Sequence, residues 1–174
     1  EPDRELGEVL EHHVGSRREQ LAPGAPSRQD RDAHDPRCPS ALDVVDMGRR
    51  FADAGHELAL VGGPVRDAFL GATSHDLDFA TSAHPDETER ILAGWADAHW
   101  DVGRDFGTIG ATKGDDVVEV TTYRSESYDM GSRKPQVEYG TTLEGDLTRR
   151  DFTVNAMALR LPDLSFVDPT GGMD

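Results

Sequence analysis

One cysteine in 174 residues, Cys38, leaves no partner for an intramolecular disulfide. That fits a reducing compartment, and the chain shows no charged-then-apolar leader of the kind that directs secretion, so a cytoplasmic location is expected. No apolar run approaches the roughly 18 residues that a membrane span needs. Lysine is nearly missing: Lys113 and Lys134 are the only two, and arginine carries the remaining positive charge, a bias that fits a GC-rich genome or a salty habitat. Positive charge as a whole is short, with 18 Lys and Arg against 34 Asp and Glu and a net charge of −16. Residues 41–174 hold 25 acidic and 12 basic side chains, a net of −13. Phosphate backbones are gripped by Lys and Arg, so this part alone is expected to bind a polynucleotide poorly.

What remains is an ordinary folded composition, 36% hydrophobic and 30% charged, enough for one domain with a core. Residues 1–38 are rich in charge, Pro and Gly and read as a disordered extension, with a short helix over Glu5 to His13. His12, His13 and His34 stand at no metal-ligand spacing and read as solvated. Residues 39–174 read as the folded domain. The chain starts on Glu1 and stops at Gly171-Gly172-Met173-Asp174 without a terminating helix, which is expected of a fragment.

The domain is organised around residues 60–81, LVGGPVRDAFLGATSHDLDFAT. Glu57 to Val61 reads as a strand, Gly62-Gly63 as a sharp turn, Pro64 to Leu70 as a short helix and His75 to Ala80 as a second strand. Side chains two apart on a strand share a face, so Asp76 and Asp78 project together while Leu77 and Phe79 pack behind. Two carboxylates so placed suit a divalent cation such as Mg²⁺, which takes hard oxygen ligands and substrate phosphates. The same spacing also suits an Asp pair capping a turn. Upstream, two glycines before a helix start let backbone N–H groups approach an anion, and Arg66 follows one turn on, where a guanidinium can grip phosphate. A metal-binding pair facing a phosphate-binding turn points to a nucleoside triphosphate; the alternative is a tight strand-to-helix turn with a surface arginine.

Before this stretch, Leu42, Val45 and Ala52, with Val44, Met47 and Phe51 beside them, predict an amphipathic helix capped by Ser40 and stopped at Gly55. After it, Pro85-Asp86-Glu87 opens a helix whose Ile91, Leu92, Trp95 and Ala96 share a face. Residues 100–103 and 108–112 read as strands, and the turn at Lys113-Gly114 leads into Val117 to Tyr123, a hairpin. Glu119 sits in that β-branched strand opposite Val118 and Val120. It becomes a third carboxylate of the site if this strand lies beside the Asp strand, and an exposed edge residue otherwise. Arg124 to Asp146 reads mostly as loop, with a short strand at Gln136 to Tyr139, overhanging the site. Arg149, Arg150, Asp151 and Asn155 form a polar group suited to a triphosphate and a ribose hydroxyl, or taken alone to a surface salt-bridge cluster, anchored by Phe152, Val154, Ala156 and Met157. A hairpin over Ala158 to Asp168 turns at Pro162-Asp163.

Taken in order, LVGGPVRD, HDLDFAT, VEVTTYR, YDMGSRKP, DLTRRDFTVNAMA and FVDPTGGMD resemble the N-terminal catalytic head of the bacterial class II tRNA nucleotidyltransferases, the CCA-adding enzymes, and of the related bacterial poly(A) polymerases, most of all actinobacterial members. The resemblance covers residues 41–174. It implies an α/β (α+β) nucleotidyltransferase fold like that of DNA polymerase β, a mixed, mostly antiparallel sheet flanked by helices. It further implies that Asp76 and Asp78 ligate Mg²⁺ with Glu119 as third catalytic carboxylate. Gly63, Arg66 and Arg150 would contact the incoming nucleotide, supported by Gly62, Arg149, Asp151 and Asn155. The implied activity is template-independent addition of CCA to the tRNA 3′ end from CTP and ATP, with a poly(A) polymerase, a CC- or A-adding enzyme, or a non-catalytic nucleotide-binding module as alternatives; the implied partners are CTP, ATP and the tRNA 3′ end, with no membrane. The family's templating motif, a glutamate-aspartate pair followed by an arginine on the next helical domain, does not occur in this chain, nor do the neck, body and tail that hold tRNA.

Overall fold

Leu58, Ala59, Leu60 and Val61 are all buried, because they form a central strand covered on both faces. A computed structural model of the protein describes residues 41–70, 76–114, 116–125 and 138–173. The expectations for residues 1–40, for the Ser40 cap and for His75 lie outside them.

The first described helix, α1 (Ala41–Asp53), buries Val44, Met47 and Phe51, the i, i+3, i+7 stripe that packs on a sheet. Val45 is only partly buried and Ala52 is exposed, so the stripe is rotated from the one expected, and Gly48 lies against Leu161. The helix ends as expected at Gly55 (φ 82°): Gly55 N–H donates to Ala52 O (2.9 Å) and His56 N–H to Phe51 O (2.9 Å), the two bonds of a Schellman motif.

There follow β1 (Leu58–Val61), α2 (Gly63–Phe69), β2 (Asp76–Thr81), α3 (Pro85–Ala93), β3 (Ala98–Trp100), β4 (Thr108–Lys113), β5 (Asp116–Thr122), α4 (Leu143–Thr148), β6 (Ala158–Leu161) and β7 (Ser165–Val167). The strands form one sheet in the order β3-β4-β5-β2-β1-β6-β7, antiparallel except where β2 pairs parallel with β5. This is the mixed α/β sheet expected.

Two stretches depart from the sequence reading. Asp101 to Gly103 leave the sheet, because Arg104 N–H donates to Asp101 O and a 3₁₀ turn over Arg104–Phe106 follows, closed by Gly107. The expected loop over Arg124 to Asp146 contains the start of α4, capped where Thr142 Oγ1 accepts from Gly145 N–H (3.2 Å). Of the strand expected at Gln136 to Tyr139, the described part is a single bridge, Arg124 to Tyr139.

Alternation divides the core in two. Leu58, Leu60, Leu77, Phe79, Ile109, Ala111, Val118, Val120, Leu159 and Leu161 face α1 and α3 with Met47, Phe51, Leu92 and Trp95. On the opposite face Ala59, Val61, Ala80 and Ala158 pack with Tyr123, Leu143, Leu147 and Ala156, so α4 covers only that part of the sheet. Over β2, β5, β4 and β3 no helix among the described residues covers the second face, where Asp76, Asp78, Glu119 and Ala98 are exposed and Thr108, Val117 and Thr121 partly so.

Candidate active site

In β2 the burial alternates from exposed Asp76 through buried Leu77 to exposed Asp78 and buried Phe79, which sends both carboxylates to the open face. The parallel pairing with β5 sets Asp78 opposite Glu119, and Asp76 opposite Val117. Glu119 is exposed between buried Val118 and Val120, so it projects to the same face as Asp78. The condition on which its role depended, a place beside the Asp strand, is met. The crowding shows in Asp78, whose carboxyl is held above the usual range by partial burial first and then by Glu119 and Asp76, with Arg150 pulling the other way. Among the described residues no three His, Cys, Asp or Glu side chains converge enough to enclose a metal by themselves.

At the other border of this face, β1 runs into the glycine turn. Gly62 lies at φ 73°, ψ −130°, a conformation closed to side chains, and starts α2 by accepting at its carbonyl from Arg66 N–H (3.1 Å). A Cβ on Gly62 would stand 3.1 Å from Arg150 Nη1, so the guanidinium approaches the turn because glycine is there. Arg66 is held in place: Nε and Nη2 donate to Asp67 Oδ1 (2.9 and 2.7 Å) and Nη1 donates to Asn155 Oδ1 (3.0 Å). Gly63 and its turn face Arg66 Nη2, 3.7 Å from where a Cβ would be.

The sequence reading missed Asp146, which is 2% exposed and anchors the arginines. Its Oδ1 accepts from Arg149 Nη2 (2.6 Å), Arg149 Nε (3.1 Å) and Arg124 N–H (3.0 Å), and its Oδ2 from Arg150 Nη2 (3.2 Å). The signal was faint, an acid three and four residues before two arginines at helical spacing. Arg150 leans toward Gly62, with its Nε buried and lacking a hydrogen-bond partner among the described residues. Arg149 turns instead toward Arg124 and lines a separate cavity of about 360 Å³ with Thr141, Thr142 and Thr148. Asp151 is exposed past the end of α4. The structure thus brings Asp76, Asp78 and Glu119 to one open face, and gathers Gly62, Gly63, Arg66, Arg150 and Asn155 beside it. Chemically the site offers a set of hard oxygen donors next to two oriented guanidinium groups, an arrangement for a metal-bearing phosphate ester.

The family model for the poly A polymerase head domain matches residues 58–174. A CCA-adding enzyme of Streptococcus pneumoniae (strain CGSP14) is 46% identical over 120 residues, which is 68% of this chain and 28% of that relative. The crystal structure of Bacillus stearothermophilus CCA-adding enzyme in complex with CTP aligns with a TM-score of 0.60 at 34% identity, covering 80% of this chain and 31% of that one. A tRNA nucleotidyltransferase complexed with a primer tRNA and an incoming ATP analog aligns at 0.59 and 30% identity, covering 73% and 35%. The chain therefore spans about a third of the length of the proteins it matches. No helix among the described residues is long and apolar enough to cross a membrane.

Proposed function

The chain belongs to the poly A polymerase head-domain family, and from that membership we propose that it is the catalytic head of an enzyme that adds CCA to the tRNA 3′ end from CTP and ATP. The observation that carries this reading is the placement of Asp78 opposite Glu119 on parallel strands, beside a glycine turn flanked by Arg66 and Arg150. A poly(A) polymerase, or an enzyme adding only CC or only A, would share such a head. The CCA-adding enzymes among its relatives favour the first reading. The setting is the cytoplasm, where tRNA, CTP and ATP meet.

In the reaction, the 3′-hydroxyl oxygen of the RNA bonds to the α-phosphorus of the incoming nucleotide, and the bond from that phosphorus to the bridging oxygen breaks to release pyrophosphate. Asp76 and Asp78, with Glu119, would hold Mg²⁺. The donor set fits it: exposed hard oxygens that crowd one another, too few to cage an ion, leaving positions for phosphate and water. Bound there, the metal supplies Lewis acidity toward the attacking hydroxyl and neutralises charge on the leaving group. The carboxylates hold and orient; they are not a free acid–base pair. Arg66, fixed by Asp67 and Asn155, and Arg150, fixed by Asp146, offer positive charge where the pyrophosphate forms. Gly62 and Gly63 would let the triphosphate approach the backbone, with Asn155 beside them accepting from Arg66.

The test is incubation of the full-length protein with tRNA lacking its terminal CCA, CTP, ATP and Mg²⁺, followed by sequencing of the 3′ ends. Ordered C, C, A addition is expected. Long A tracts made from ATP alone would turn the assignment to a poly(A) polymerase, and no addition of either nucleotide would overturn it. Within the same assay, Gly62→Ala is expected to raise the KM for CTP about tenfold or more. At φ 73° and ψ −130° an L side chain is strained by roughly 1–3 kcal/mol, and the new Cβ would crowd Arg150 Nη1. An unchanged KM would show that the turn does not approach the nucleotide.

A further inference from the structure

Across the open face, β3, β4, β5 and β2 bring Trp100, Gly110, Glu119 and Asp78 into one row, each the register partner of the next. Partners across a ladder project to the same side of a sheet. The neighbours agree: His99, one residue before Trp100, lies 3.5 Å from Glu89 of α3 on the helix-covered face, which leaves Trp100 on the face of the carboxylates. A Cβ on Gly110 would stand 2.3 to 2.6 Å from indole atoms Cε2, Nε1 and Cζ2. The ring therefore lies flat across the bare glycine backbone, and it remains partly exposed. At a strand spacing of about 4.8 Å, an indole above β4 is one strand from Glu119.

We propose that Trp100 is a stacking platform for an unpaired base of the RNA strand whose 3′ end reacts at Asp78 and Glu119; this rests on the function proposed above. An aromatic ring laid on a sheet with one face free is how sheet surfaces take single-stranded bases, and such stacking accepts any base because every base has a π-face. That tolerance suits a primer end whose last base changes as it grows. The direction of attack places the primer, and not the incoming nucleotide, on this side. In phosphoryl transfer the attacking and leaving oxygens stand roughly in line across the phosphorus. Pyrophosphate would leave toward Gly62 and Arg150, at the end of β1 and across β2 from β5, so the 3′-hydroxyl would arrive from the opposite side of the carboxylates, over β5 and β4. Trp100 stands there. Stacking also needs no positive charge, which this chain has little of.

The experiment uses the full-length protein with Trp100→Ala and Trp100→Phe. Trp100→Ala is expected to raise the KM for tRNA about tenfold, within the range measured for loss of one base–aromatic stack, with the KM for CTP unchanged and with Trp100→Phe recovering most of the affinity. Independently of turnover, a short oligoribonucleotide ending in CC, with no nucleotide or metal present, is expected to quench the fluorescence of the wild type more than that of Trp100→Phe, since Trp95 is buried. An unchanged KM for tRNA, a rise confined to CTP, or equal quenching in both proteins would overturn the proposal. If the wild type adds nothing to tRNA, the enzymatic reading fails, and the quenching comparison still decides whether Trp100 takes RNA bases.

Discussion

Replacing Asp78 with alanine in the full-length protein is expected to lower nucleotide addition by at least about 10³-fold, roughly 4 kcal/mol of transition-state stabilisation. Asp76→Ala is expected to do the same. Both carboxylates project from β2 onto the open face, and Asp78 has Glu119 at its partner position, so the loss removes an oxygen donor from the centre of the row. Stability should move differently. Asp78 is already held above the usual carboxylate range by partial burial and by Glu119, so deleting it relieves repulsion in the folded state. The variant should therefore unfold at the same urea concentration as the wild type or a higher one. Turnover retained within tenfold in either variant would sink the metal-holding assignment.

Asp146→Ala is expected to cost about 3 kcal/mol of stability, because breaking a buried ion pair from one side leaves charge without compensation. The guanidinium groups of Arg149 and Arg150 and the backbone N–H of Arg124 all donate to this carboxylate, and burial together with Arg149 already holds the Arg124 guanidinium below its ordinary value. Arg149 and Arg150 keep about a quarter of their side-chain surface in water, which lets them turn outward and keeps the cost from rising further. The same substitution frees Arg150, so the KM for CTP should rise along with the fall in stability. Urea unfolding of the variant beside the wild type checks the first effect, and a loss under 0.5 kcal/mol, the scale of an ordinary surface change, would mean that the arginines find other partners.

Local chemistry carried much of the fold into view. Gly55 ends α1 by a backbone motif of two bonds, Pro85 opens α3, and the alternation in DLDFAT and DVVEVTT gives each strand its inner and outer face. What sequence left open was decided by pairing. Glu119 could be a site residue or an edge residue until β5 was placed parallel to β2, a contact between segments forty residues apart that no local pattern records. The start of α4 was hidden because six residues with Gly145 among them make a weak helix by propensity, one that forms where Leu143 and Leu147 find a buried face. The stripe of α1 was misjudged by about one residue because Gly48, invisible to hydrophobic periodicity, faces Leu161. Asp146 reads in sequence as one more acid among thirty-four, and only its burial makes it an anchor.

The single parallel pair has a consequence for how the protein acquires its activity. The hairpin of β4 and β5 closes over a short turn, and α1, β1, α2 and β2 are near neighbours along the chain, so these two halves of the site can each form by local contacts, whereas β6 joins β1 from far along the chain. Joining β2 to β5 closes a loop of some forty residues and costs chain entropy before any of its contacts repay it. Asp78 and Glu119 belong to different halves and meet only at that step. On refolding from denaturant, far-ultraviolet dichroism should therefore recover ahead of nucleotide addition, and a newly made chain would carry its ordered halves for a time before Asp78 and Glu119 meet.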